Sequence, residues 1–170
     1  MRSTWIRQIS AIRKDGVESA INLTCGLNCV IGASNTGKTR IAKTVEFVCG
    51  GKETPFTDKT AYEVAQVTFI TNDGEVSLSR STRTQNTIHV ESSNPAVSFR
   101  LLILVSSRSG KSINTVLLAL LGIEPTRRIA TNETYHTVAF TWNAVRHLML
   151  VPEDQVDVRS LPFSFPKAPR

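Results

Sequence analysis

At 170 residues, with a formal net charge of +6, the chain is long enough for one domain with a real core and short for two. Hydrophobic residues make up 41% and charged residues 20%, a globular mix that excludes a disordered or fibrous chain. No apolar run approaches the ~20 residues of a membrane span, so no membrane partner is expected.

Two further compositional readings bear on compartment and partners. Cys25, Cys29 and Cys49 cannot all pair internally and lack metal-ligand spacing, so they read as small buried hydrophobes of a reducing cytoplasm. The opening, Met1-Arg2-Ser3-Thr4-Trp5, passes into strand-like residues without the apolar core of a signal peptide, which also points to the cytoplasm. The basic residues are scattered: Arg7, Arg13 and Lys14, then Arg80 and Arg83, Arg100, Arg108 and Lys111, and Arg127-Arg128. Without interleaved aromatic residues they form no stacking platform for single strands. They read as a solvated basic surface, with DNA as a secondary candidate partner.

In chain order, Thr4 to Ile12 is a strand, Asp15-Gly16 a turn, and Val17 to Leu23 a returning strand. Cys25-Gly26-Leu27-Asn28 turns again, and the apolar run Asn28-Cys29-Val30-Ile31 has the composition of a buried strand. Next comes Gly32-Ala33-Ser34-Asn35-Thr36-Gly37-Lys38-Thr39, which fits the phosphate-binding pattern G-x-x-x-x-G-K-[ST] at every fixed position. Lys38 to Cys49 reads as a helix, with Ile41, Val45 and Val48 on one face and Gly50-Gly51 as its stop.

The residue types explain why this pattern grips phosphate. Gly32 and Gly37 lack a Cβ, so the backbone can wrap closely and aim successive N–H groups at a di- or triphosphate. The helix that follows presents unpaired N–H groups and a positive dipole end. Lys38 reaches the β- and γ-phosphates, and the Thr39 hydroxyl sits on Mg²⁺.

Lys52 to Thr60, with Pro55, is a loop; Ala61 to Thr71 is a strand; Asn72-Asp73-Gly74 is a turn. Glu75 to Arg80 alternates apolar and polar as a half-buried strand does, and Thr87 to Glu91 offers another before Ser92-Ser93-Asn94-Pro95 breaks it. The middle section is therefore an antiparallel sheet, which favours the ABC-type branch of P-loop proteins over small kinases or GTPases. Leu101 to Val105 is apolar, and Gly110-Lys111-Ser112 imitates a second phosphate loop but has Val105 where the first glycine belongs. Ser112 is expected to cap a helix from Ile113 to Leu121, ended by Gly122. Thr137 to Thr141 is a strand, and Thr141 caps a helix through Trp142, Val145, Leu148 and Met149. The tail, with Pro162, Pro166 and Pro169, has no packing pattern.

The stretch from Gly26-Leu27-Asn28 through Thr39 resembles the opening of SMC/SbcC/RecF-type ATPases, the ABC-like ATPases of chromosome handling and DNA repair. The Ser34-Asn35-Thr36 interior, Glu46 to Gly51, Leu120-Leu121-Gly122-Ile123 and Arg146-His147-Leu148-Met149-Leu150-Val151 further resemble a bacterial SbcC-like subgroup. The resemblance implies an α/β fold: a P-loop NTPase lobe of ABC-ATPase type, with a mixed or antiparallel sheet around a central P-loop helix. It implies ATP and Mg²⁺, with Gly32, Ala33, Ser34, Asn35, Thr36, Gly37, Lys38, Thr39 and Arg40 on the nucleotide and Thr39 on the metal. In such ATPases a glutamine after the antiparallel sheet touches Mg²⁺ and the attacking water. Glu153 holds that place here, with Gln155 two residues on, so Lys38, Glu153 and Gln155 are the candidate catalytic residues and Glu153 a second metal ligand.

The family's signature motif, Walker B strand, switch histidine and coiled coil are not found in this sequence. The resemblance therefore implies an N-terminal ATP-binding lobe over residues 1–160, a Pro-rich tail over 161–170 as the truncation point before a coiled coil, and binding with negligible turnover alone. The implied partners are the missing C-terminal ATPase lobe or a second head. Two rivals stand beside it. In one, Leu148 to Val151 followed by Glu153 and Asp154 serves as the Walker B strand of a self-contained small NTPase, although Pro152 interrupts it. In the other, the loop belongs to a non-catalytic module that holds nucleotide or nucleic-acid phosphate.

Overall fold

In a computed structural model of the chain, the residues described are 3–34, 36–57, 61–97, 101–104, 112–124, 126–130 and 137–149. The elements run β1 (Thr4–Arg13), β2 (Glu18–Asn22), α1 (Lys38–Val48), β3 (Tyr62–Thr71), β4 (Gly74–Ser81), β5 (Thr87–Ser92), β6 (Leu101–Leu104), α2 (Ile113–Leu120), β7 (Arg128–Ala130), β8 (Thr137–Ala139) and α3 (Trp142–Met149). Six strands form one sheet in the order β2-β1-β3-β4-β5-β6, and every neighbouring pair is antiparallel. β7 and β8 make a separate two-stranded ribbon. The chain is thus α/β with an antiparallel sheet and three helices among the described residues, the antiparallel form of the expected sheet.

Period-2 alternation builds the core. Val76 and Leu78 on β4, Ile88 and Val90 on β5, and Ala65 and Val67 on β3 are each at most 1% exposed and fall at every second position. α1 lies against β3, β4 and β1 and adds Val45, Phe47 and Val48 to the same cluster, which α2 extends with Val116, Leu117 and Leu120. Full burial of Phe47 contributes roughly 1.5–3 kcal/mol relative to leaving it in water. α1 stops as expected: Gly50 turns left-handed at φ 99° and its N–H donates back to the Phe47 carbonyl. No described helix is long and apolar enough to cross a membrane.

Four expectations are corrected. Asn28 to Ile31 forms no strand; Leu27 is 99% and Ile31 89% exposed, and the segment pairs with none of the described strands. An apolar composition needs a neighbouring ladder before it becomes a strand, and none of the described strands supplies one. Cys25 and Cys29 are exposed as part of that same stretch, and only Cys49 is buried. Arg80 is not a surface charge. It sits on the core face of β4, in phase with Val76 and Leu78, and is 4% exposed. Finally, the hydroxyl of Ser112 makes no cap bond to α2, although its backbone is extended as an N-cap should be. For α3, the first N–H (Trp142) donates to the side-chain oxygen of Asn114.

Candidate functional site

The phosphate-loop motif lies between the edge of the sheet and the first turn of α1. After β2 the chain makes a turn clasped by one side chain. The Asn28 amide donates to the Thr24 and Gly26 carbonyls at 2.7 and 3.0 Å, while its oxygen accepts the Thr24 N–H at 2.9 Å. From Thr24 to Ser34 every residue is exposed.

Beyond that turn the motif closes on its own lysine. Lys38 Nζ donates to the Gly32 carbonyl at 2.8 Å and to the Ala33 carbonyl at 2.5 Å, and the Thr36 hydroxyl donates to the same Ala33 oxygen at 2.8 Å. Two glycines allow this. Gly37 stands at φ 89°, ψ 11°, the left-handed turn that starts α1 and that a side chain would strain. A Cβ on Gly32 would come to 3.0 Å from the Thr36 oxygen, tighter than such contacts normally are.

The electrostatics of the α1 N-terminus favour an anion. Gly37 offers no side-chain cap, and the first turn, Lys38, Thr39 and Arg40, contains no acid. The leading N–H groups and the positive end of the helix dipole therefore have no internal negative partner from the helix itself. Thr39 and Arg40 are exposed beside them. Such a helix start, faced by a glycine-bounded loop, has the backbone donors and dipole sign that suit an anion, while the loop's ammonium is bonded to the Gly32 and Ala33 carbonyls.

The structure thus brings Gly32, Ala33, Thr36 and Lys38 into one hydrogen-bonded unit, with Ser34 in its turn, Gly37 at the start of α1, and Thr39 and Arg40 at its exit. Asn35, Glu153, Asp154 and Gln155 lie outside the described residues. Among the described residues no group of His, Cys, Asp or Glu side chains could hold a metal ion. The Thr39 hydroxyl, expected on Mg²⁺, stands exposed at the start of α1.

At the opposite end of α1 lies an arrangement that sequence reasoning missed. Arg80 Nη1 donates to the carbonyls of Phe47 and, at 2.7 Å, of Gly51; its Nε donates to the Gln85 carbonyl at 2.8 Å, and the guanidinium stacks 4.2 Å over the Phe47 ring. Burial draws its pKa below the ordinary arginine value. The signal was the alternation of β4 itself, which puts Arg80 in phase with its two apolar neighbours. Beside this end, a cavity of about 240 Å³ opens between the α1 C-terminus and the first turns of α2 and α3, lined by Cys49, Gly50, Asn114, Trp142 and Arg146 among others. Arg146 spans one side of it in an ion pair with Glu46 at 3.1 Å.

Compared with models of known protein families and with curated protein sequences, the chain matches none.

Proposed function

We propose that this chain is the ATP-binding lobe of an SMC/SbcC-like ATPase, acting in DNA repair, chromosome handling or defence. The observation that carries the reading is the N-terminus of α1: uncapped, free of acids in its first turn, and faced by Gly32–Gly37 with Lys38 Nζ inside the loop. On this reading the β- and γ-phosphates of ATP take the place of the Gly32 and Ala33 carbonyls on Lys38. Thr39 contributes its hydroxyl to Mg²⁺, which would neutralise phosphate charge when bound. Gly37 keeps the loop backbone close enough for its N–H groups to reach the phosphates.

A second observation supports the partner. Leu27, Val30 and Ile31 form an exposed apolar run leading into the motif, an arrangement that a further strand from a C-terminal lobe would cover. Hydrolysis then belongs to the assembled head, where the second lobe supplies the carboxylate that positions water.

The test is Mg-ATP binding and turnover by the purified chain beside Lys38→Ala and Glu153→Gln. Affinity is expected to fall by about tenfold or more in Lys38→Ala, equivalent to ~1.4 kcal/mol, with no turnover in any form. Steady turnover by the wild-type chain, abolished in Glu153→Gln, would overturn the half-ATPase reading in favour of a complete small NTPase. Steeply salt-dependent DNA binding indifferent to ATP would replace it with a basic binding module.

A further inference from the structure

We propose that the phosphate loop is latched against nucleotide by its own backbone and that the Thr36 hydroxyl holds the latch, a role that rests on the nucleotide-binding reading above. Lys38 Nζ is bonded to the Gly32 carbonyl at 2.8 Å and to the Ala33 carbonyl at 2.5 Å. Among the described residues no peptide bond is cis, and in a trans peptide unit the C=O and N–H point in opposite directions. The oxygens of the Gly32–Ala33 and Ala33–Ser34 peptides therefore face the ammonium, and the N–H groups of Ala33 and Ser34 are turned away from it. An anion seated on Lys38 needs the reverse, with donors toward it and carbonyls out.

The two peptides are not equally free to turn. Gly32 has no Cβ, so the Gly32–Ala33 unit rotates with little steric resistance on that side. The Ala33–Ser34 unit lies between two residues with side chains, and its oxygen carries a second bond, donated by the Thr36 hydroxyl at 2.8 Å. The same hydroxyl oxygen stands 3.5 Å from Lys38 Nζ, so ammonium, carbonyl and hydroxyl form a closed triangle. Both lone pairs of the Ala33 oxygen are then occupied, and turning that carbonyl outward breaks both bonds together. Phosphate oxygens offset the loss of the lysine's bond. The hydroxyl's bond exists only while the carbonyl faces inward.

Thr36 is thus a positioning residue that acts through the Ala33 carbonyl, and its effect has the opposite sign to that of a ligand contact. Nucleotide enters loops whose Ala33 carbonyl has turned out, so the apparent dissociation constant is the intrinsic one divided by the fraction of such loops. Removing the hydroxyl raises that fraction. Affinity then rises through faster association, while dissociation keeps its rate. A hydroxyl that touched phosphate would do the reverse, and its loss would weaken binding through faster release. One hydrogen bond of this kind corresponds to about a fivefold shift.

The experiment follows association and dissociation of a fluorescent ATP analogue with Mg²⁺ by stopped flow, on the full chain and its Thr36→Val, Thr36→Ala and Thr36→Ser variants. Valine keeps the branched shape without the hydroxyl, alanine removes the bulk as well, and serine restores the hydroxyl. Thr36 is exposed, so all three should keep the urea midpoint of the wild type. Thr36→Val and Thr36→Ala should associate about fivefold faster with unchanged dissociation, and Thr36→Ser should return to wild-type rates. A gain in valine alone would trace to crowding and overturn the latch. Unchanged association, or faster release, in both variants that lack the hydroxyl would also overturn it, with the nucleotide reading left standing. Binding by neither the wild type nor any variant would instead sink the nucleotide reading, and the latch with it.

Discussion

At each end of α1 a long cationic side chain is held by backbone carbonyls, and the two ends otherwise have little in common. At the C-terminal end Arg80 is 4% exposed and bonded to Phe47, Gly51 and Gln85, where the negative end of the helix dipole and the last unpaired carbonyls welcome a cation. At the N-terminal end Lys38 is held by Gly32 and Ala33 in an exposed loop, beside the positive end of the same dipole. One cation agrees with the field of the helix and is sealed in. The other opposes it and sits in reach of solvent. The same donor–acceptor chemistry therefore serves as a fixed anchor in one place and an exchangeable contact in the other.

The widest gap between the ends should appear in stability. Arg80→Ala strands three carbonyls at the α1 terminus and the β4–β5 turn, and is expected to cost about 3 kcal/mol. Urea titration should show a lower midpoint with an unchanged slope. A loss under ~0.5 kcal/mol would mean that water replaces the guanidinium and that this end is no more fixed than the other.

The buried thiol at the same end sharpens the contrast by pH. The folded pKa of Cys49 is raised from 9.0 to about 12, so its contribution to stability is complete below pH 9 and is lost as pH climbs toward 12. Stability should fall across that window by up to ~1.4 kcal/mol per pH unit from this one group, and Cys49→Ala should flatten the slope. The smallest effect belongs to the exchangeable end. Lys38→Ala should leave the unfolding free energy within ~0.5 kcal/mol of wild type while lowering nucleotide affinity about tenfold or more. A large loss of stability there would make Lys38 a second anchor and erase the distinction.

Much of the sheet was legible because alternation is a local signal. β4 and β5 show it in six or eight residues, and the turns at Asp15-Gly16 and Asn72-Asp73 mark where strands reverse. The loop motif and the extent of α1 were legible for a similar reason, since glycine spacing and helical period are both short-range. What failed was whatever depends on a distant neighbour. Val30 and Ile31 have the composition of a buried strand, but composition does not reveal whether another strand will lie alongside. The exposure of Cys25 and Cys29 follows from the same missing neighbour. The grip of Asn114 on the start of α3 joins positions 28 residues apart, beyond any local cap rule. Arg80 is the instructive case between these, since its phase was visible while its acceptors, Phe47 and Gly51, lay 33 and 29 residues upstream.

Those acceptors also say something about time. The carbonyls on Arg80 come from the end of α1 and from the turn after β4, so the full set of bonds exists only when helix, strand and turn have all arrived. If the guanidinium closes on them only after the transition state, Arg80→Ala will speed unfolding and leave the folding rate nearly unchanged; a slower folding rate instead would put this contact in the nucleus.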